Sequence, residues 1–209
     1  MIDETLLQSV EQYYSDKVRT HGAVARGVDW KDEHSQWLRF DQLLKIRQDN
    51  APFSINDYGC GLGCLVDRLE KEDQPFTYHG VDVSAQMVAT ASQKHAAKPG
   101  VFFSQNASEL SLADYTVASG VFNVRLQNET AQWKAYVEQV LHQLDSLSLK
   151  GFACNFLTTY SDADKQRADL FYADPAEYFA FCKNHFSRNV ALLHDYGLYE
   201  FTLLVRKDT

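Results

Sequence analysis

The chain has 209 residues, 45% of them hydrophobic, enough for one sizeable core and too few for two full α/β domains. Its 20 Lys and Arg against 28 Asp and Glu leave a formal net charge of −8, which argues against a nucleic-acid partner, because phosphate contacts need clustered basic residues. Met1-Ile2-Asp3-Glu4 is not a basic leader, and no apolar run is long enough to span a bilayer, so a cytoplasmic protein with no membrane partner is expected.

In chain order, Leu6, Leu7, Val10, Tyr13, Tyr14 and Val18 recur at helical spacing after Asp3, an available N-cap, and predict an amphipathic first helix. Arg19 to Trp30 has no helical or strand period, and its Gly22 and Gly27 favour an irregular loop. A second helix is expected from Asp29 or Lys31, with Trp37, Phe40, Leu43, Leu44 and Arg47 along one side, stopped at Asp49-Asn50-Ala51-Pro52. Phe53 to Tyr58 reads as a strand that runs into Gly59-Cys60-Gly61-Leu62-Gly63, and Leu65 to Lys71 as a helix. Strands are expected over Thr77 to Val83, Val101 to Gln105, Tyr115 to Gly120 and Phe152 to Leu157. Between them lie a helix capped by Ser84, with Met87, Val88 and Ala91 inward, and a long one over Glu129 to Leu149. Asp174-Pro175 is an N-cap and N1 pair for a last helix. Val190 to His194 and Tyr199 to Arg206 form a closing hairpin about Asp195-Tyr196-Gly197.

Strands alternating with helices over residues 52 to 157 mean βαβ units, hence a Rossmann-like α/β fold with a mostly parallel sheet. Ligands of such sheets lie outside the strand C-termini, where the strand order reverses. The glycine turn sits at that place, and glycine lets backbone N–H groups approach a ligand closely. Asp82 ends the next strand, where an acid holds ribose hydroxyls; it could equally serve as a helix cap beside Ser84, and Asn106 as a turn residue. Cys60, Cys64, Cys154 and Cys182 form no C-x-x-C pair, so no metal site and no disulfide framework is expected.

A nicotinamide oxidoreductase would carry G-x-G-x-x-G. Here Asp57 precedes Gly59-x-Gly61-x-Gly63, and this motif resembles that of the class I S-adenosylmethionine-dependent methyltransferases, over about residues 50 to 207. The resemblance implies a seven-stranded sheet with one antiparallel strand from the C-terminal hairpin, and S-adenosylmethionine as cofactor with S-adenosylhomocysteine as product. It divides the chain into an N-terminal helical lid, 1–48, and a methyltransferase domain, 49–209. By the same resemblance Asp57 orients the methionine amino group, and the Gly59, Cys60, Gly61 and Gly63 backbone passes under the cofactor. Asp82 accepts from the ribose, Val83 and Met87 border the adenine, and Asn106 with Ala107 meets the adenine amino group. Gly120, Val121 and Phe122 face the methionine end and the acceptor. Asn106 departs from the family's usual Asp, but its carbonyl oxygen can still accept from an amine.

The acceptor is expected to be a small molecule, which could be acidic, methylated by in-line transfer. Arg26 is a candidate for binding its charge, Trp30, Phe122 and Asn123 for its contacts, and His21 or Tyr14 for the general base. Asn123 is followed by Val124-Arg125-Leu126 and not by Pro-Pro-aromatic, which disfavours nucleotide bases. A non-catalytic S-adenosylmethionine-binding module is the other alternative, and either a monomer or a homodimer is compatible with the sequence.

Overall fold

The computed structural model describes residues 4–21 and 33–208. One sheet organises them, in the order β3-β2-β1-β4-β5-β8-β7. The strands are β1 (Phe53–Tyr58), β2 (Phe76–Val81), β3 (Val101–Ser104), β4 (Ala113–Ala118), β5 (Ser148–Thr158), β6 (Tyr172–Ala173), β7 (Asn189–Leu193) and β8 (Glu200–Arg206). Pairing is parallel from β3 through β5, while β8 runs antiparallel to both β5 and β7. Only β8 is therefore reversed, as expected of the closing hairpin. The strand absent from the expectation is β6, two residues that pair in parallel with Leu157 and Thr158, where β5 has outrun β4.

The helices are α1 (Glu4–His21), α2 (Glu33–Leu44), α3 (Cys64–Leu69), α4 (Ala85–Lys94), α5 (Thr130–Ser146) and α6 (Pro175–His185). Two cores result, one on each side of the sheet. Strand alternation divides β1 between them: Phe53 and Ile55 join Leu43, Leu65 and Val66 on one side, whereas Tyr58 packs on the other with α5 and α6. The α5 stripe of Trp133, Tyr136, Val137, Val140, Leu141 and Leu144 is wholly buried. Burying each such aliphatic side chain contributes roughly 1.5–3 kcal/mol, so α5 anchors that layer.

Caps appear where the sequence places them. The Ser84 hydroxyl accepts from Met87 N, and the Asp174 carboxylate accepts from Ala176 N ahead of Pro175. Strand limits shift by up to four residues, and three helix ends differ by about a turn. The first helix continues through Arg19 to His21, so the irregular loop does not begin at Arg19. The second stops at Leu44, eight residues before Pro52, because Lys45, Ile46 and Arg47 turn back on the carbonyls of Gln42, Leu43 and Leu44, and Arg47 reaches Glu72 and Gln74. The long helix ends at Ser146, since Ser148 already pairs with Ala113; Leu149 belongs to β5.

Candidate active site

A cavity of about 940 Å³ opens at the C-terminal ends of β1, β2, β4 and β5. It is within the size range of small-molecule sites. Its floor is the turn after β1, where Gly59, Gly61 and Gly63 all take left-handed φ values of 78°, 52° and 71°. A Cβ on Gly59 would stand 2.5 Å from Val121 Cγ2, so this turn and the one after β4 are in direct contact. Gly63 ends the turn outside the cavity lining, with its carbonyl 3.1 Å from His95 Nε2.

Asp57 is buried at the end of β1, and its Oδ2 accepts from the Tyr78 hydroxyl at 2.8 Å. Burial pushes its carboxyl up from 3.8 to about 7; the Tyr78 hydroxyl pulls the other way and the charge of Asp82 adds to the rise. Asp82 accepts from Gly61 N and Ser84 N, both at 2.9 Å, so it ties the glycine turn to the start of α4. Burial raises its pKa, and these two N–H groups lower it. The cap reading of Asp82 thus holds in the geometry, and each carboxylate oxygen keeps lone-pair capacity toward the cavity. Asn106 Oδ1 accepts from Ser108 N and caps a 3₁₀ turn over Ala107–Glu109, also beside the cavity.

Among the residues singled out from sequence, Tyr14, Asp57, Gly59, Cys60, Gly61, Asp82, Val83, Met87, Asn106, Ala107, Gly120, Val121 and Asn123 come together in this lining. Phe122 does not. It is fully buried, stacks on Phe156 at 4.6 Å and offers its carbonyl to Trp133 Nε1, so it is a core residue and faces no acceptor. Arg26 and Trp30 lie outside the described residues, as does the His21 side chain. The Cys60 thiol is pushed well up by burial and by Asp82 and Asp57, which keeps it protonated and unreactive.

Gln36, Arg39, Ser119 and Glu200 line the same cavity and are not among the residues the sequence singles out. A signal for two of them exists: Gln36 and Arg39 share the spacing of Phe40 and Leu43, so polar side chains sit in the apolar stripe of α2. Glu200, at the first position of a strand written Glu-Phe-Thr-Leu-Leu-Val-Arg, has none. Ser119 Oγ is buried without a hydrogen-bond partner among the described residues. Tyr58 and Tyr136 line the opposite wall, the former donating to Gln143 Oε1 at 3.3 Å with its pKa raised to about 12 by burial.

A mostly parallel sheet, three glycines in the first turn and acids at the ends of the first two strands define an α/β fold of the class I methyltransferase type. Residues 57–148 match a family model described as a methyltransferase domain. Rv1506c of Mycobacterium tuberculosis, whose own naming as a methyltransferase is provisional, is 51% identical over 164 residues, 78% of this chain and 99% of that protein. The malonyl-[acyl-carrier protein] O-methyltransferase of Halalkalibacterium halodurans is 30% identical over 142 residues; these are 66% of this chain and 50% of that enzyme. Among solved structures, magnesium protoporphyrin IX methyltransferase from Synechocystis PCC 6803 with bound S-adenosylhomocysteine has the same fold, with a TM-score of 0.62 at 16% identity over 99% of this chain and 100% of that one. The chain belongs to the S-adenosylmethionine-dependent methyltransferases, and S-adenosylmethionine is its cofactor. Among the described residues no helix is long and apolar enough to cross a membrane.

Proposed function

We propose that this enzyme methylates a small acidic molecule at an oxygen. The observation that carries the reading is the make-up of the cavity lining: besides Gly120 and Val121 it includes Val10, Tyr14, Asn123, Val124, Leu157 and Leu170, together with Arg167, whose guanidinium also forks onto Asp169. An apolar lining that includes a guanidinium suits a carboxylate on a partly apolar body. The malonyl-[acyl-carrier protein] O-methyltransferase likeness supports the same chemistry, since a malonyl group ends in a carboxylate.

The cofactor supplies an electrophilic methyl group on a sulfonium. Asp57 holds its amino-acid end in this reading, the backbone of Gly59 and Gly61 lets it approach, and Gly120 and Val121 flank it. Asp82 accepts from the ribose, and Val83, Met87, Asn106 and Ala107 surround the adenine. A carboxylate needs no general base, so the protein's task is alignment and exclusion of water, and orientation of this kind supplies about 7–11 kcal/mol in well-held reactions. Tyr14, which lines the cavity, hydrogen-bonds the acceptor oxygen in this reading.

Residues 1–48 act as the lid. Val10 and Tyr14 of α1 face the cavity, while Leu6 and Val10 are buried against the α5 layer. Ser15 Oγ lies 3.0 Å from Ser84 Oγ and joins α1 to the cap of α4.

The test is to incubate the enzyme with methyl-labelled S-adenosylmethionine and a low-molecular-weight cell extract, then treat the products with mild alkali. Label in small molecules that is released as methanol supports the reading. Label confined to protein or RNA, or an alkali-stable methyl group, removes it.

A further inference from the structure

Along the ligand edge of the sheet a set of side chains passes from strand to strand in the order β8, β5, β4, β1, and one of its members never reaches the cavity. Arg39 of α2 meets Glu200 of β8 through two N–H groups, Nε at 2.8 Å and Nη2 at 2.5 Å. Glu200 Oε2 accepts from Asn155 Nδ2 of β5 at 2.9 Å, and Asn155 Oδ1 accepts from Gly120 N after β4 at 2.8 Å. Val121, the next residue, rests on Gly59 after β1. Asn155 is 0% exposed and is not part of the cavity wall.

The direction of every bond in this series follows from the one before it. The N–H of Gly120 is buried and requires an acceptor, which turns the Asn155 amide so that its oxygen faces Gly120. The Asn155 NH₂ then points at β8 and requires an acceptor in turn, which Glu200 provides. A carboxylate buried there requires a cation, and Arg39 provides it in a forked geometry. The left-handed φ of 74° at Gly120 shows what is being held: a turn whose Gly120 and Val121 both line the cavity.

We propose that Asn155 is a positioning residue for the methyl donor, acting only through Gly120, with its amide orientation set by Glu200 and Arg39. The proposal rests on the reading that Gly120 and Val121 flank the donor's methionine end. A shift of the turn would move Val121 off Gly59 and widen the contact on which the donor lies. Arg39 and Glu200 face the cavity themselves, so their variants mix direct and indirect effects, whereas an Asn155 variant isolates the indirect one.

The experiment uses the full chain, S-adenosylhomocysteine binding by calorimetry and the Gly120 amide resonance by NMR. Asn155→Asp still accepts from Gly120 but sets a second carboxylate against Glu200; affinity should fall about tenfold, with the Gly120 resonance displaced. Adding Glu200→Gln supplies an amide that donates to the carboxylate introduced on β5 while its oxygen faces Arg39, and the double variant should recover to within about threefold of wild type with the resonance restored. Glu200→Gln alone should displace the Gly120 resonance even if Asn155→Asp does not fold. An unmoved Gly120 resonance in Glu200→Gln, unchanged binding in a folded Asn155→Asp, or a double variant no better than the single would each overturn the proposal. Asp57→Asn is the control for the site itself: if it binds like wild type, the underlying site reading fails together with the proposal, whereas weakened binding there with normal binding in Asn155→Asp defeats the proposal alone.

Discussion

At the end of the cavity where the proposed function seats the nucleoside, the polar side chains are held by backbone: Asp82 by the N–H groups of Gly61 and Ser84, and Asn106 by that of Ser108. At the far end the groups are held by side chains from distant parts of the chain, Asn155 bonding to Gly120 across 35 residues, to Glu200 across 45, and Glu200 to Arg39 across 161. The first kind of site forms once two neighbouring βα units are in place. The second exists only as a connected set, and loss of one member leaves another buried without its partner. Damage at the first end should therefore be local and graded, and damage at the second should spread.

The largest effect is expected where the two ends touch. Gly59→Ala forces a left-handed residue, at about 1–2 kcal/mol, and drives its Cβ into Val121, so S-adenosylhomocysteine affinity should fall about a hundredfold with a lower melting temperature. Calorimetry showing less than tenfold loss would mean that the two turns separate easily.

Asp57 comes next, and its sign is informative. Its folded pKa of about 7 lies above the unfolded value near 3.8, so the folded ligand-free protein holds a proton there that the unfolded chain has released. This group favours folding below about pH 4, and its contribution is lost as pH rises through about 7. Asp57→Asn should raise the melting temperature of the ligand-free protein at pH 8. A cationic amine binds the ionised form, so wild-type affinity should rise about tenfold from pH 6 to 7.5, and in Asp57→Asn it should be weak and flat across that range. A wild-type affinity that does not vary with pH would contradict this.

Asp82→Ala removes the acceptor of two backbone donors and, on the proposed function, of the ribose, and about tenfold weaker binding is expected, with the distant Gly120 amide resonance unmoved. Movement at Gly120 would break the contrast between the two ends. The smallest effect belongs to His95→Gln. Its ring nitrogen supports the Gly63 carbonyl from outside the cavity, an amide can keep that hydrogen bond, and affinity should change by about threefold or less.

The same contrast separates the parts of the molecule that are legible in the sequence from those that are not. Asp57, the glycines and Asp82 stand within 26 residues of one another, at strand ends that periodicity locates, and Tyr78, Gly61 and Ser84, which bond to the two acids, lie in or beside the same stretch. Ser84 and Asp174 are legible as caps for the same reason. Phe122 is misplaced because a residue two positions past Gly120 is expected to face forward, whereas the chain turns there and Asn123 pairs with Phe171 and Leu157. β6 is hidden because two residues, Tyr172 and Ala173, carry no period, and pair only where β5 extends past β4. Glu200 is hidden because an acid beginning an apolar strand looks like a solvent-facing residue until the strand's direction is known.

That direction has a consequence in time. Because β8 alone runs backward, it delivers its first residue to the edge where the other strands deliver their last, and that first residue is Glu200. If the strands dock in chain order, the bond from Gly61 to Asp82 is complete once β1 and β2 pair, whereas the Gly120 turn, held until then through Val121 on Gly59, gains Asn155 and Glu200 when β5 and β8 arrive. On that order the Asp82 end of the cavity is built early and the Gly120 end late.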